Sequence, residues 1–568
     1  MNIYHKLKSE IIESVSKTTR LGKEEIEGLL EKPPEGIKAD FAFPCFVLAK
    51  KEKKNPVEIA KNIAEKIKKP EMVENIEVKG PYINFYFKWK SVGKIILDEI
   101  LKEKERYGSE EKKRETVVME YTQPNTHKAF HIGHVRNIVF GEALCRILEF
   151  SGHRIIRANY QGDVGPHVAK CLWGLMKLGL KEPQKENGKW LGEVYAKASK
   201  KISDNEKLEK EAYEINKKLY AGDKEIVKLW EKTRKWSLDY FEGIYKDFGV
   251  KYDRYYFESE VEKEGVKLAE QLLKKGIAKI SEDAVVLDLK IHNLGVFVLI
   301  TKEKTPLYSI KDMALAHLKN SEYKPDKLII ITGAEQNMYF QQLIKSLEIV
   351  NPDLAKKMKH ISYELVNLEE GKMASRLGNV ITYDELKDEM LKNAKKITKG
   401  KNKDLNEKSV EKISEMVTMG SIKYDMIKVS PEKIITFDWD AALSFEGNTA
   451  PYIQYTHARA CSILEKAGLK TIEKFDTNFL KTEKEINILK KLIEFPSAIE
   501  AAARDYRPHY IANYVFELAT VFNEFYQSVP VLKSEKGERE ARLALVSAVK
   551  NVLKNGLNLL GIEAPEEM

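Results

Sequence analysis

The segment Glu120-Tyr-Thr-Gln-Pro-Asn-Thr-His-Lys-Ala-Phe-His131-Ile-Gly-His134 combines side chains and a backbone pattern suited to holding phosphate. A β-rich run, Thr116-Val-Val-Met-Glu-Tyr121, stops at Gln123-Pro-Asn125, and a helical pattern starts at about His134. The first turn of a helix leaves backbone N–H groups unpaired and carries a partial positive charge, so an anion is stabilised there. His131 and His134 can add N–H donors, and Gly133 lacks the Cβ that would block close approach. Paired histidines alone are more often structural. Their position at a strand–turn–helix junction is what points to phosphate.

The flanking elements predict how that junction is held. A helix from about His134 to Phe150 is followed by a strand near Arg154–Tyr160. Ala284–Leu289, Phe297–Thr301 and Leu328–Thr332 follow as short apolar strands between helical stretches. This alternation predicts a parallel sheet with crossover helices, whose ligands bind at the carboxyl ends of the strands. The stretch from about Lys181 to Glu242 is charged and helical and reads as an insertion. Before the sheet, residues up to about Gly108 read as a small α+β unit, with a turn at Pro33-Pro34-Glu35-Gly36 and a strand at Asn84-Phe-Tyr-Phe87. The run Lys102–Arg114 reads as a solvated helix or linker. After about Thr382 the strands are expected to cease, leaving helices such as Glu483–Ile493, Ala512–Tyr526 and Glu538–Leu553. There Tyr514, Phe522, Phe525 and Tyr526 are spaced as helix core. The lysine-rich Asn393–Lys403 reads as a solvated face.

Composition narrows the class. With 43% apolar and 32% charged residues over 568 positions, the chain reads as a soluble multidomain protein. Apolar runs such as Lys327-Leu-Ile-Ile-Ile-Thr332 are too short to span a bilayer, and the N-terminus has no secretory pattern, so no membrane partner is expected. Cys45, Cys145, Cys171 and Cys461 form no C-x-x-C pair, which predicts a reduced, cytoplasmic protein without a bound zinc. The formal charge of +9 is compatible with nucleic acid, and equally with a dense Lys/Glu surface.

His131-Ile-Gly-His134 is letter for letter the HIGH signature of the class I aminoacyl-tRNA synthetases, and Gly371-Lys-Met-Ala-Ser-Arg-Leu-Gly-Asn379 resembles their second signature, KMSKS. The acidic–aromatic–small–x–Pro–Asn element, with Lys128 three residues before His131, is similar to the arginine-specific members. The likeness covers essentially the whole chain. It implies a multidomain α/β architecture: an added N-terminal α+β domain over 1–112 that touches the outer corner of tRNA, and a Rossmann-type catalytic domain over 113–385 with an insertion at about 181–280. A helical connecting region over 386–445 and an all-helical anticodon-binding domain over 446–568 would follow.

The resemblance also implies site residues. His131, Gly133, His134, Lys372 and Met373 would bind ATP, entering with Mg2+ and without a tightly held metal. Guanidinium is planar, always charged and matched by carboxylates, so an arginine pocket needs acidic groups. Tyr308 and Asp312, four apart, share one face of a helix, and Gln336 follows a strand. Their spacing, with that of Glu120, Tyr121, Thr122 and Asn125, resembles the family's arginine-binding set, to which His131 and Glu258 are added. Glu120 could instead pair with a basic neighbour, and Gln336 could cap a helix. Which carboxylate would hold guanidinium and which the α-ammonium stays open. Asn159-Tyr-Gln-Gly-Asp-Val-Gly165 is either a tight turn or a substrate contact, and no role carries over to Tyr339. Asn84-Phe-Tyr-Phe87 is either a stacking surface or core. Tyr452, Tyr455 and Arg459 would contact tRNA. The second signature has Ser375 where the family pattern has a lysine, so Lys128 is expected to supply the cation near pyrophosphate, with Arg376 steadying the loop. The expected partners are tRNA(Arg), L-arginine and ATP, and the expected state a monomer.

Overall fold

The computed structural model describes residues 3–33, 37–368, 381–401, 406–468, 472 and 474–568. The chain opens with helix Ile3–Thr19 and an antiparallel sheet of β1 (Phe41–Pro44), β2 (Val73–Lys79) and β3 (Tyr82–Phe87), in the order β1-β3-β2. Asn84, Phe85 and Phe87 are buried, and the Tyr86 hydroxyl donates to Glu77. This run is therefore largely core, with Tyr86 on the outer face of the sheet. Helix Trp89–Glu103 leads out of the unit, and a short 3-10 turn at Lys104–Arg106 ends the helical part of the basic run.

The central sheet begins with β4 (Thr116–Glu120), β5 (Arg154–Gln161) and β6 (Arg254–Phe257). A separate antiparallel sheet follows, made of β7 (Lys279–Ser281), β8 (Ala284–Asp288) and β9 (Val296–Ile300). β10 (Lys327–Gly333) and β11 (Met358–Tyr363) return to the central sheet, which is parallel throughout in the order β11-β10-β4-β5-β6. Strand alternation explains its two faces. Val117 and Met119 pack with helix Ile132–Phe150 on one side, and Val118 with helix Tyr308–Tyr323 on the other. The chain leaves β4 toward β5 and β10 toward β11 in opposite directions, so a crevice opens at the carboxyl ends of β4 and β10.

Two strands expected in the parallel sheet, near 284–289 and 297–301, belong instead to the β7-β8-β9 hairpin sheet. A short apolar run looks the same in either setting. Helices Asn187–Ser203, Glu206–Tyr220 and Lys224–Phe248 form the inserted arm, but β6 inside the 181–280 interval pairs with β5. The insertion thus returns to the sheet soon after Phe248. Strands also persist beyond Thr382, because β13 (Ile435–Phe437) pairs in parallel with β12 (Val366–Leu368).

The remaining helices include Tyr383–Lys401, Glu407–Ile427, Ala450–Lys466, Glu483–Asp505, His509–Ser528 and Lys536–Leu559. Their apolar faces join the β1-β3-β2 unit and one face of the central sheet in a single core cluster. Arg136 lies inside this junction, 1% exposed. Its guanidinium donates to the carbonyls of Glu364, Leu365, Pro431 and Lys433, tying helix Ile132–Phe150 to the starts of β12 and β13. No helix among the described residues is long and apolar enough to cross a membrane.

Candidate active site

The crevice is a cleft of about 1890 Å³ with an imidazole end and a carboxylate end. At the first, His131 caps helix Ile132–Phe150 in extended backbone conformation. The Gly133 N–H donates to His131 Nδ1 (3.2 Å), and the His131 N–H donates to His134 Nδ1 (3.2 Å), so the two histidines form a reciprocal capping box. Their rings stack with centroids 3.8 Å apart. Since both Nδ1 atoms accept, both neutral rings carry their proton on Nε2. Burial, reinforced by Lys128, lowers His131 to about 4, and burial lowers His134 well below the ordinary histidine value. These are neutral donors at physiological pH.

This geometry corrects one expectation. The Ile132 N–H donates to Ile381 O (3.0 Å) and the His134 N–H to His131 O (2.8 Å), so the backbone donors of this turn are already engaged. An anion here would be met by the imidazole Nε2–H groups. A Cβ on Gly133 would stand 3.0 Å from the His131 ring, so the glycine keeps that ring seated.

The turn between β4 and this helix is strained. Thr122, Gln123 and His127 have φ of 79°, 44° and 64°, which is costly for a β-branched threonine. Compensation comes from the Thr122 N–H donating to Asn137 Oδ1 (2.6 Å), and from the buried His127 ring between Thr126 and Thr233 (2.9 and 2.8 Å). Thr122 and Asn125 line the cleft as a result. Tyr121 does not. Strand alternation turns its ring to the opposite face, where it is fully buried and its hydroxyl donates to Glu142 (2.8 Å).

The carboxylate end is built on helix Tyr308–Tyr323. Tyr308 and Asp312 share its cleft-facing side, Tyr308 being 60% exposed at the mouth. Burial raises Asp312 to about 7, opposed by a hydrogen bond donated by the Tyr339 hydroxyl, while Asp312 Oδ1 has no protein partner. Tyr339 thus has a place that its sequence position did not reveal. Gln336 lines the cleft and stands at the N-cap position of helix Asn337–Val350, without a side-chain capping bond. Glu258 begins helix Glu258–Lys274 and is held by Lys311 (2.8 Å), which also contacts Glu262 (3.1 Å). Burial raises Glu258 despite that pairing. Glu120 lines the cleft and is ion-paired with Lys319 behind it, so its alternative reading and its cleft position hold together.

Within the glycine-rich element, Asp163 is fully buried and accepts from Arg234 (2.8 Å) and from Ser259 N (2.9 Å) and Oγ (2.7 Å). It fixes the start of the helix that carries Glu258, and Gly162 and Gly165 line the cleft. The Lys128 ammonium lies 5.3 Å over the Tyr195 ring of the inserted arm, beside the histidines but outside the cleft wall. Lys372, Met373, Ser375 and Arg376 lie outside the described residues. Both described flanks of their segment are anchored to the signature helix, through Arg136 on one side and the His131–Thr382 bridge on the other.

Far from the cleft, Tyr452 packs on Phe516 (5.8 Å), while Tyr455 is 40% exposed. The Arg459 guanidinium lies between the Tyr455 and Tyr526 rings (4.9 and 4.8 Å). Tyr514, Phe522 and Phe525 are core, but Tyr526 is exposed and joins this stack, contrary to its helical spacing. No three His, Cys, Asp or Glu side chains among the described residues converge as a metal site.

Residues 96–439 match the family described as tRNA synthetases class I (R), catalytic domain. Residues 453–568 match the DALR anticodon binding domain, and 5–87 the arginyl tRNA synthetase N terminal domain. The arginine–tRNA ligase of Clostridioides difficile is 36% identical over 550 residues, covering 96% of this chain and 97% of the relative. That of Halothermothrix orenii is 34% identical over 565 residues, covering 99% of each. The Thermus thermophilus arginyl-tRNA synthetase structure superposes with a TM-score of 0.84 at 28% identity, over 99% of this chain and 100% of that one.

Proposed function

The chain belongs to the arginyl-tRNA synthetases of class I, and from that premise we propose that it uses ATP to activate L-arginine and transfers the arginyl group to the 3′-terminal adenosine of tRNA(Arg). In the first step an arginine carboxylate oxygen bonds to the α-phosphorus as the bond from that phosphorus to pyrophosphate breaks. In the second, the 2′-hydroxyl of the terminal adenosine attacks the acyl carbon and AMP departs. Neither step makes a covalent bond to the protein, so catalysis rests on positioning and on stabilising charge.

The carrying observation is one cleft with neutral imidazole donors at one end and buried carboxylates at the other. We assign the phosphates to His131 and His134, together with Lys372 and Met373 of the second signature. Glu120, Asn125, Glu258, Tyr308, Asp312 and Gln336 are assigned to arginine, with Thr122 shaping the turn between them. The tRNA is assigned to the helical half, where Tyr455 and Arg459 are accessible. Magnesium is proposed to enter with ATP as part of the substrate, and the working unit to be a cytoplasmic monomer.

The test is charging of total tRNA with each amino acid in turn. Arginine alone is expected to give acylated tRNA, and charging with any other amino acid at a comparable rate would overturn the reading.

A further inference from the structure

On helix Tyr308–Tyr323, positions 308, 312, 315, 316 and 319 form one face. It runs from exposed Tyr308 through half-buried Asp312 and buried Leu315 and Ala316 to Lys319, which is 3% exposed. The Lys319 ammonium meets the Glu120 carboxylate, itself 4% exposed, at the end of β4. Glu120, Asp312 and Lys319 border one cavity of about 20 Å³ whose other walls are apolar, among them Leu328, Ile330 and Phe340. The opposite Glu120 oxygen, Oε1, accepts from Gln123 (3.0 Å), a residue of the cleft wall.

A buried ion pair is poor stabilisation, since well-packed apolar residues of similar volume usually serve a core at least as well. A lysine on the apolar floor of this helix therefore calls for a reason outside packing. Glu120 supplies it. Its carboxylate is cut off from water, so the charge that a cationic substrate requires needs a partner inside the protein. The Lys319 ammonium behind it gives that carboxylate an ionic partner before substrate arrives and holds one oxygen in place. The carboxylate in turn offsets the burial that pulls Lys319 down to about 7.

We infer that Lys319 is a positioning residue for arginine recognition, an internal counter-ion that keeps Glu120 charged and oriented toward the incoming cationic substrate. This rests on the assignment of Glu120 to arginine. The same helix would then present one carboxylate to the substrate directly and govern a second through its lysine, two turns deeper.

The test is steady-state aminoacylation by the full chain with Lys319→Met, Glu120→Gln and the double variant. Lys319→Met is expected to raise the arginine KM at least about tenfold, with the ATP KM within about twofold of the parent. Lys319→Arg is expected to restore most of the loss. In the Glu120→Gln background, Lys319→Met is expected to add little, because its effect passes through Glu120. A parental arginine KM in Lys319→Met, an equal rise in the ATP KM, or additive losses in the double variant would each overturn the inference. If Lys319→Met does not fold, Lys319→Gln, equally uncharged, is judged by the same criteria. Glu120→Gln alone reports on the underlying assignment. A parental arginine KM there would sink that assignment whatever Lys319 does.

Discussion

Single side chains here are set by burial as much as by their partners. Asp312 in the empty site holds its proton up to about 7, with burial as the main cause. An unfolded carboxyl ionises near its ordinary 3.8, so this group binds more protons folded than unfolded between those values. Its contribution to folding is therefore fully present below about 3.8 and is lost as pH rises to about 7. Arginine binding has the opposite sign, because the cation needs the ionised carboxylate. The arginine KM should rise as pH falls from about 8 to 6, and Asp312→Asn should abolish that slope while raising KM at least about a hundredfold, as expected for about 3–5 kcal/mol lost with a desolvated partner. A slope persisting in Asp312→Asn would exclude Asp312 as its source. The second residue-scale prediction concerns Lys128, whose charge already weighs on both signature histidines. Lys128→Ala should lower kcat about a hundredfold with little change in the ATP KM, as for a transition-state donor worth about 2.7–4 kcal/mol. Should Lys128→Ala keep full kcat while Arg376→Ala loses it, the cation comes from the loop.

Elements decide which of these residues meet. The sequence pattern made the signature turn legible, since a strand, a Pro-Asn turn and a helix start can be read from local chemistry. It also made Tyr308 and Asp312 partners, because four residues of helix fix a shared face. The resemblance groups Tyr121 with Glu120, although alternation from a cleft-lining Glu120 already turns the next side chain to the other face. Tyr526 escaped the pattern. It stands four residues after the core Phe522, but in the last turn of its helix, beyond what the core covers. The antiparallel β7–β9 sheet was illegible because pairing direction leaves no mark on a five-residue apolar run. One element-scale prediction follows from the glycine-rich turn after β5. A Cβ on Gly162 would stand 2.2 Å from Asn125 Oδ1, so Gly162→Ala must displace that side chain from the cleft. The arginine KM is expected to rise at least about tenfold with the melting temperature nearly unchanged. A parental KM would remove Asn125 from the arginine site.

At the scale of the whole molecule, the helical half cannot be separated from the rest. Its helices share the core of the sheet and of the N-terminal unit, and Lys423 donates to carbonyls of both Phe248 and Gly561 (2.9 and 2.6 Å). A chain ending near Asp440 is expected to aggregate, because it would leave the buried faces of three modules open; recovery of a folded monomer with cooperative unfolding would refute this. The tRNA-binding assignment is better tested by Arg459→Ala with Tyr526→Ala in the full chain. That pair should weaken tRNA binding at least about tenfold, and parental affinity would move the contact elsewhere. Binding by the parent should fall steeply with salt.

The N-terminal unit depends on this union most. Helix Trp89–Glu103 lies against helix Glu483–Asp505 so closely that a Cβ on Gly93 would stand 2.7 Å from Leu489, and the Tyr107 hydroxyl donates to Leu492 O (3.0 Å). Helix Trp89–Glu103 thus finds its packing partner only after nearly four hundred more residues have been added. At roughly 5–20 residues per second that is a wait of about 20–80 s. During it, Ile96, Leu97 and Ile100 have no finished surface to cover them, which makes the nascent chain, more than the completed enzyme, a client for chaperones.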